Sequence, residues 1–266
     1  GSGAATVVEA AAIEFAASTV GGALSATATT GNITQSGALD IEGTTTLVTT
    51  AEDATIVLGT ATNAFTGALL ITTNDTGTDT AGDVTISAGS GAVLDFGNST
   101  IDGDLIATSS NTTGITDSGA VTVRGTASFQ TTAANADISL GTSTLGDGTG
   151  TDTITLNTTG SGGDATLDNA TTVVVLGTSA ASLVTSVGGN LTLTSGAAAG
   201  ITDSGTVTVG GNLIATTDAN SGVIDMDTLA VDGTIALTTE GDGAATVVND
   251  VGLNFAASTV RGALSA

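Results

Sequence analysis

A short motif returns along this chain at intervals of about 22 residues: a β-branched or aromatic residue, any residue, glycine, any residue, then usually an apolar residue. Its glycines are Gly22, Gly43, Gly67, Gly103, Gly125, Gly189, Gly211, Gly233 and Gly262, and half of the gaps between them are of nearly one length. The gap from Gly125 to Gly189 is close to three such intervals, and the long gap before Gly103 contains the polar insert Asn74–Asp83. The apolar pieces alternate with period two, as in Val207–Val209, Leu191–Leu193 and Ile154–Leu156, which is the pattern of short strands. A single turn of this kind cannot bury its own apolar face, whereas stacked turns can, so the expected fold is a β-solenoid.

The residues around the glycines support stacking. Two positions earlier stand Val20, Ile41, Phe65, Ile101, Val123, Val187, Val209, Val231 and Val260, which stacked coils would gather into one apolar column. The second and fourth positions after glycine share volume: Thr45 with Leu47 and Ala127 with Phe129, against Leu24 with Ala26, Leu105 with Ala107 and Leu213 with Ala215. Constant volume across neighbouring inward positions is what close packing requires. The expected class is all-β, a single-stranded parallel β-helix of roughly twelve coils over residues 1–266, a rod of about 55–60 Å at the usual strand spacing.

Longer repeats are superimposed. Gly3–Ala26 and Gly243–Ala266 are identical at 17 of 24 positions, so the chain reads as one 240-residue unit followed by the opening of the next, with a tandem array as parent. Within the unit, NITQSG at Asn32–Gly37 and GITDSG at Gly114–Gly119 and Gly200–Gly205 mark sub-repeats near residues 32, 114 and 200.

Composition narrows the function. Aromatic residues make up 2% of the chain, which suits a thin aliphatic core and not a thick globular one, and its phenylalanines are expected to lie inside. Pro is absent, in keeping with strands paired on both sides. There are 26 acidic residues against Arg124 and Arg261, a net charge of -24, which disfavours nucleic acid and anionic lipid as partners. No apolar run has the length of a membrane span. The absence of cysteine shows that the fold needs no disulfide.

Gly31–Thr44 (GNITQSGALDIEGT), Ser18–Leu24, Ser258–Leu264 and Val187–Leu193 (VGGNLTL) resemble the repeats of giant filamentous-haemagglutinin-type bacterial adhesins. That resemblance implies a right-handed parallel β-helix exported to the cell surface, serving as stalk or adhesin in attachment or biofilm. The chain departs from those repeats in its lack of Lys and in its 240-residue higher-order period.

Chemistry is sparse. No His, Lys or Tyr is present to serve as a base or to activate a serine, and the acids are scattered among turns, so no catalytic residue is assigned and an enzyme is not expected. No cofactor is expected, with calcium as the alternative: Asp147–Thr155 (DGTGTDTIT) matches eight of nine positions of the calcium β-roll nonapeptide, making Asp147 and Asp152 candidate ligands, and a related TGTDT stands at Thr76–Thr80. Thr153–Thr155, Thr192–Thr194 and Thr206–Thr208 supply T-x-T pairs of the kind ice-binding solenoids use, but Leu39, Asp40 and Ala107 are read as the corresponding residues elsewhere, leaving Thr as an ordinary strand former. Arg124 is expected to meet Asp102, and Arg261 to meet Asp232, across adjacent coils. The expected function is a structural segment of an extracellular filament or adhesin stalk that joins its own kind head to tail through the terminal coils. A calcium-assembled surface-layer or matrix protein and a glycan-binding module are the alternatives.

Overall fold

The structure, a computed structural model, describes residues 2–74, 81–177 and 184–266. Among these the chain is all-β with no helix, and every paired strand runs parallel to its neighbour, as Ala5–Glu9 does to Leu24–Ala28 and Leu191–Ser195 to Leu213–Asn220. The strands stack into a 13-stranded first sheet, a 14-stranded second sheet and a three-stranded third sheet confined to the first coils. The chain is a β-solenoid of about 11 turns of roughly 22 residues. The turns number fewer than twelve because coils differ in length: a short one carries Ala5 to its partner Leu24, and a long one carries Ile56 to its partner Val84.

One core cluster runs through the rod from Ile13 to Val247. The volume sharing expected within each strand also operates between coils. Leu24 stacks on Thr45 while Ala26 stacks on Leu47, and Leu105 stacks on Ala127 while Ala107 stacks on Phe129. In these pairs large meets small at one level and the reverse two residues on, whereas Ile71 on Leu47 and Leu191 on Leu213 set large against large. Phe96 and Phe129 meet edge to face across the centre, with ring centroids 6.3 Å apart. The expectation of internal phenylalanines fails at Phe255, which is 38% exposed on the last coil.

The motif glycines sit where one coil crosses closest to the next. A Cβ on Gly233 would lie 2.4 Å from the Gly211 carbonyl oxygen, and one on Gly43 would lie 2.6 Å from backbone atoms of Gly22 and Ala23. Contact with the backbone below, and not a left-handed φ, demands glycine there.

The predicted single column of pre-glycine residues is instead three separate stacks, with Val260, beside the Thr259 that bridges Thr238, outside all three. Val20, Ile41 and Phe65 form the first, on the third sheet. Ile101, Val123 and Leu145 form the second, on the first sheet. Val187, Val209 and Val231 form the third, on the second sheet. The strands after glycine change sides in step: Leu24, Thr45 and Leu69 lie on the first sheet, Leu105 and Ala127 on the second, Leu191, Leu213 and Ile235 on the first again, and Leu264 on the second. Equivalent positions Ser18, Ser99, Thr185 and Ser258 recur at a spacing of roughly three and a half turns of this solenoid. Each sub-repeat therefore starts on the side opposite its predecessor. Ile33, Ile115 and Ile201 accordingly fall on the second, first and second sheets.

Side chains join the ladder where the sides swap. Below each new stack a threonine hydroxyl accepts a backbone N–H: Thr73 from Asp102 at 3.0 Å, Thr158 from Gly188 at 3.0 Å and Thr239 from Arg261 at 3.1 Å. Above the second stack, the Asn169 amide accepts from Leu145 N at 2.8 Å and donates to Leu145 O at 3.2 Å. Above the third, Asn249 accepts from Val231 N at 2.8 Å and donates to Val231 O at 3.1 Å. Each asparagine thus takes the place of a peptide group.

Candidate functional site

Several of the acids that a functional site would draw on hold one coil to the next. Asp117 and Asp203, the acids of the two GITDSG motifs, end short strands and face the bulged strand of the next coil. Asp117 accepts from Gly141 N and Thr142 N, each at 2.9 Å. Asp203 accepts from Asp227 N at 3.1 Å and Thr228 N at 2.9 Å. In NITQSG the amide of Gln35 exchanges two 2.8 Å bonds with the buried amide of Asn63.

A second set lies at a corner, with Asp164, Asn190 and Asn212 just after glycines and Asp137 after Ala136. The side chains of Asp137, Asp164, Asn190 and Asn212 each accept the backbone N–H one coil up, from Asp164 at 2.9 Å, Asn190 at 2.7 Å, Asn212 at 2.9 Å and Thr234 at 2.8 Å. On the opposite corner Asp83 accepts from Asp104 N at 2.9 Å, and Asp104 from Thr126 N at 2.7 Å. Asp104 is pushed above the ordinary carboxylate range, first by burial and then by the neighbouring Asp83, against the pull of the Thr126 N–H. Asp168 is raised by burial and by Asp218 and Asp117.

The calcium candidates share one loop. Asp147 Oδ1 accepts from Thr149 N at 2.7 Å and from the Thr149 hydroxyl at 2.6 Å, and Asp152 Oδ2 accepts from Asp147 N at 3.0 Å. The Thr149 bonds hold Asp147 below its usual range, while burial holds Asp152 above. The two carboxylates come together as a turn, and among the described residues no group of three or more acids is arranged to hold a metal ion. Thr76–Thr80 lies outside the described residues.

The T-x-T pairs occupy different neighbourhoods from those expected. Thr192 and Thr194 stack between Thr166 and Asp168 below and Ile214 and Thr216 above, whereas Leu39 and Ala107 belong to other columns. Thr153 precedes its strand and Thr155 is buried. Mixed neighbours, and not a uniform threonine face, are the outcome.

Arg124 meets Asp102 at 3.2 Å as expected. Arg261 pairs with Glu240 at 3.1 Å and not with Asp232. The cause is the swap of sides: Thr259 bridges Thr238, and Gly262 bonds to Gly243 in place of Gly233, so Glu240 is the acid below Arg261.

Sequence reasoning missed the asparagine peptide mimics and a corner device. Buried hydroxyls at the inner strand ends donate to a carbonyl four or five residues on: Thr49 to Ala54, Thr131 to Ala136, Thr158 to Gly163, Thr217 to Gly222 and Thr239 to Gly243. The signal was a threonine in an inward position of an otherwise apolar alternation.

A shallow cleft near the last coils is lined by Thr206, Asp227, Thr228, Leu229, Val248 and Asp250. Among the described residues no helix is long and apolar enough to cross a membrane. Residues 2–72 and 81–144, just over half of the chain, match repeats of unknown function (DUF5649). The chain belongs to that family. The starts of the two DUF5649 matches are separated by nearly the same stretch as Ser18 and Ser99. No curated protein and no solved structure matches the chain.

Proposed function

We propose that this DUF5649 chain is a structural segment of an extracellular filament or adhesin stalk, of the kind its resemblance to filamentous-haemagglutinin-type repeats suggests. The observation that carries the reading is the employment of the acids: Asp117, Asp203, Asp137, Asp164 and Asp83 spend carboxylate oxygens on backbone N–H groups of the next coil. Polar chemistry directed along the axis serves length and register. With neither His nor Lys in the chain, an enzyme is disfavoured. Continuous parallel ladders supply stiffness, and the net charge of -24 keeps rods apart sideways and disfavours nucleic acid and anionic lipid. Immunogold labelling of source cells with antibodies to this chain tests the reading. Label along fibres outside the cell supports it, and label confined to the interior overturns it.

A calcium-assembled matrix protein is the second reading. It is favoured by the stacked carboxylates of Asp83 and Asp104 and by the Asp147–Asp152 loop, where a cation would relieve like-charge repulsion. Loss of fibres on chelation, restored by calcium, distinguishes it. Retention of defined glycans by dispersed chains would favour a binding module.

A further inference from the structure

We infer that two copies of this chain pack side by side, the outer face of the first sheet of one against the same face of the other. The proposal rests on the filament reading and names the surface through which rods pair. It is carried by where charge stands along the interior coils. Strands such as Leu24–Ala28, Thr45–Thr49 and Leu191–Ser195 bury three side chains and turn two outward. On the lower part of the first sheet the outward residues are Ser25 and Thr27, Thr46 and Val48, and Leu70 and Thr72. On the upper part Thr192, Ile214 and Ala236 stand in one column, and Thr194, Thr216 and Thr238 in the next. Thr166 and Asp168 lie just below them, and Asp168 is the one acid at these positions in a chain with 26. Asp218 and Glu240 stand further along, where their strands run on toward the corner. Every one of these strands has a neighbour both below and above.

Between the two parts the column that holds Thr72 continues through Thr100, Thr122 and Thr144. The acids of these middle coils are engaged within the rod. Asp95 accepts from the hydroxyls of Thr116 at 3.0 Å and Ser118 at 2.6 Å, and Asp117 accepts from the bulged strand above. The second sheet is not open in the same way. Its outward Ser128 and Thr155 are already buried, Asn157 donates to Val184 O at 3.3 Å, and Asp225 and Asp227 stand on its upper part.

Two copies of the first-sheet face suit one another. Pleated surfaces rich in β-branched residues pack sheet on sheet at about 10 Å. Val48, Leu70 and Ile214, the last 43% exposed, lose water in such a contact. From Leu24–Ala28 to Ile235–Glu240 the face is about 45 Å tall and about 16 Å wide at ordinary strand dimensions. A pair therefore buries roughly 1,400 Å², within the range of specific interfaces. The same patch on both copies is what a two-fold pair requires. A charged partner finds little counter-charge on this face, whereas a second copy needs none. The repulsion that keeps rods apart sideways arises at the corners and on the acidic sides, and added salt screens it. Salt therefore sets the balance, with single rods when it is low and pairs when it is high.

Small-angle scattering and sedimentation over a salt series test the proposal. At high salt the chain should double in mass and widen in cross-section while keeping the length of one rod. Thr46→Glu with Thr216→Glu places charge on both parts of the face, and this variant should stay single at every salt concentration. Thr85→Glu with Thr108→Glu, on the second sheet, should pair as the parent does. All four positions are half-buried, and circular dichroism confirms that each variant folds. Single rods of the parent at every salt concentration, doubling in length at constant cross-section, or pairing by the Thr46/Thr216 variant overturns the proposal. Single rods that adsorb to insoluble polysaccharide, and lose this on Thr46→Glu with Thr216→Glu, overturn it by giving the face to a glycan. Extracellular labelling is independent of these outcomes, so failure of the pairing is separable from failure of the filament role.

Discussion

The side-chain amide of Asn169 bonds both the N–H and the C=O of Leu145, at 2.8 and 3.2 Å, and so completes the ladder at a place where the backbone of the next coil has moved to the other side of the rod. Asn169 is fully buried and also donates to Thr172 and Val173. Asn169→Ala should cost about 2–4 kcal/mol, because two buried backbone groups lose their partner and a void opens. Asn249→Ala, where the side chain is only half-buried, should cost less. Urea denaturation of the two variants checks the order.

Thr45 offers the opposite case. Its hydroxyl is buried between coils with no hydrogen-bond partner, at a position where the column above and below holds Leu24 and Leu69. Thr45→Val keeps the shape and removes the unsatisfied group, and should stabilise the rod by about 1 kcal/mol. Thermal denaturation reads the gain.

Gly200 opens its GITDSG motif with a φ of +75°, and a Cβ there would stand 1.8 Å from the Val223 carbonyl oxygen. Gly200→Ala should destabilise by more than about 2 kcal/mol, since both the backbone and the coil above must shift. Hydrogen exchange should show the opening centred on the coils that carry Ile201 and Ile224.

The fold was legible because three signals agreed: the glycine spacing, the period-two strands and the traded volumes of pairs such as Leu24 and Ala26. Coil-to-coil register at Arg124 and Asp102 followed from that spacing alone. What the spacing hid was the side of the rod. A motif says that a strand follows glycine but not which sheet receives it, and only the sum of coil lengths over a sub-repeat fixes that. The Arg261–Asp232 pairing failed for this reason, as did the single column of valines. The acids of the GITDSG motifs and the corner residues looked scattered in the sequence because their partners are backbone groups a full coil away.

Acidity should strengthen this protein over part of its range. Asp104 and Asp168 are raised by burial and by neighbouring acids. A raised carboxyl binds its proton more readily folded than unfolded, so its contribution is present below the unfolded value and is lost as pH climbs through the folded one. Lowering pH from neutral towards the carboxylate range should therefore raise the denaturation midpoint. Asp104→Asn keeps an acceptor for the Thr126 N–H, as Asn190 and Asn212 do on the other corner for Asn212 and Thr234. It should stabilise at neutral pH by a few tenths of a kcal/mol after screening and flatten the pH profile.

The Arg124–Asp102 pair, with Arg124 largely exposed, should matter little. Arg124→Ala should cost at most about 1 kcal/mol, and the difference should shrink as salt is added.

The central claim is that length grows linearly with sequence through stacked coils. Small-angle scattering from arrays of one, two and four 240-residue units measures it. About ten and a half coils per unit at the spacing of parallel strands predicts about 50 Å of added length per unit at constant cross-section. A cross-section that widens as units are added, with little gain in length, would contradict the account.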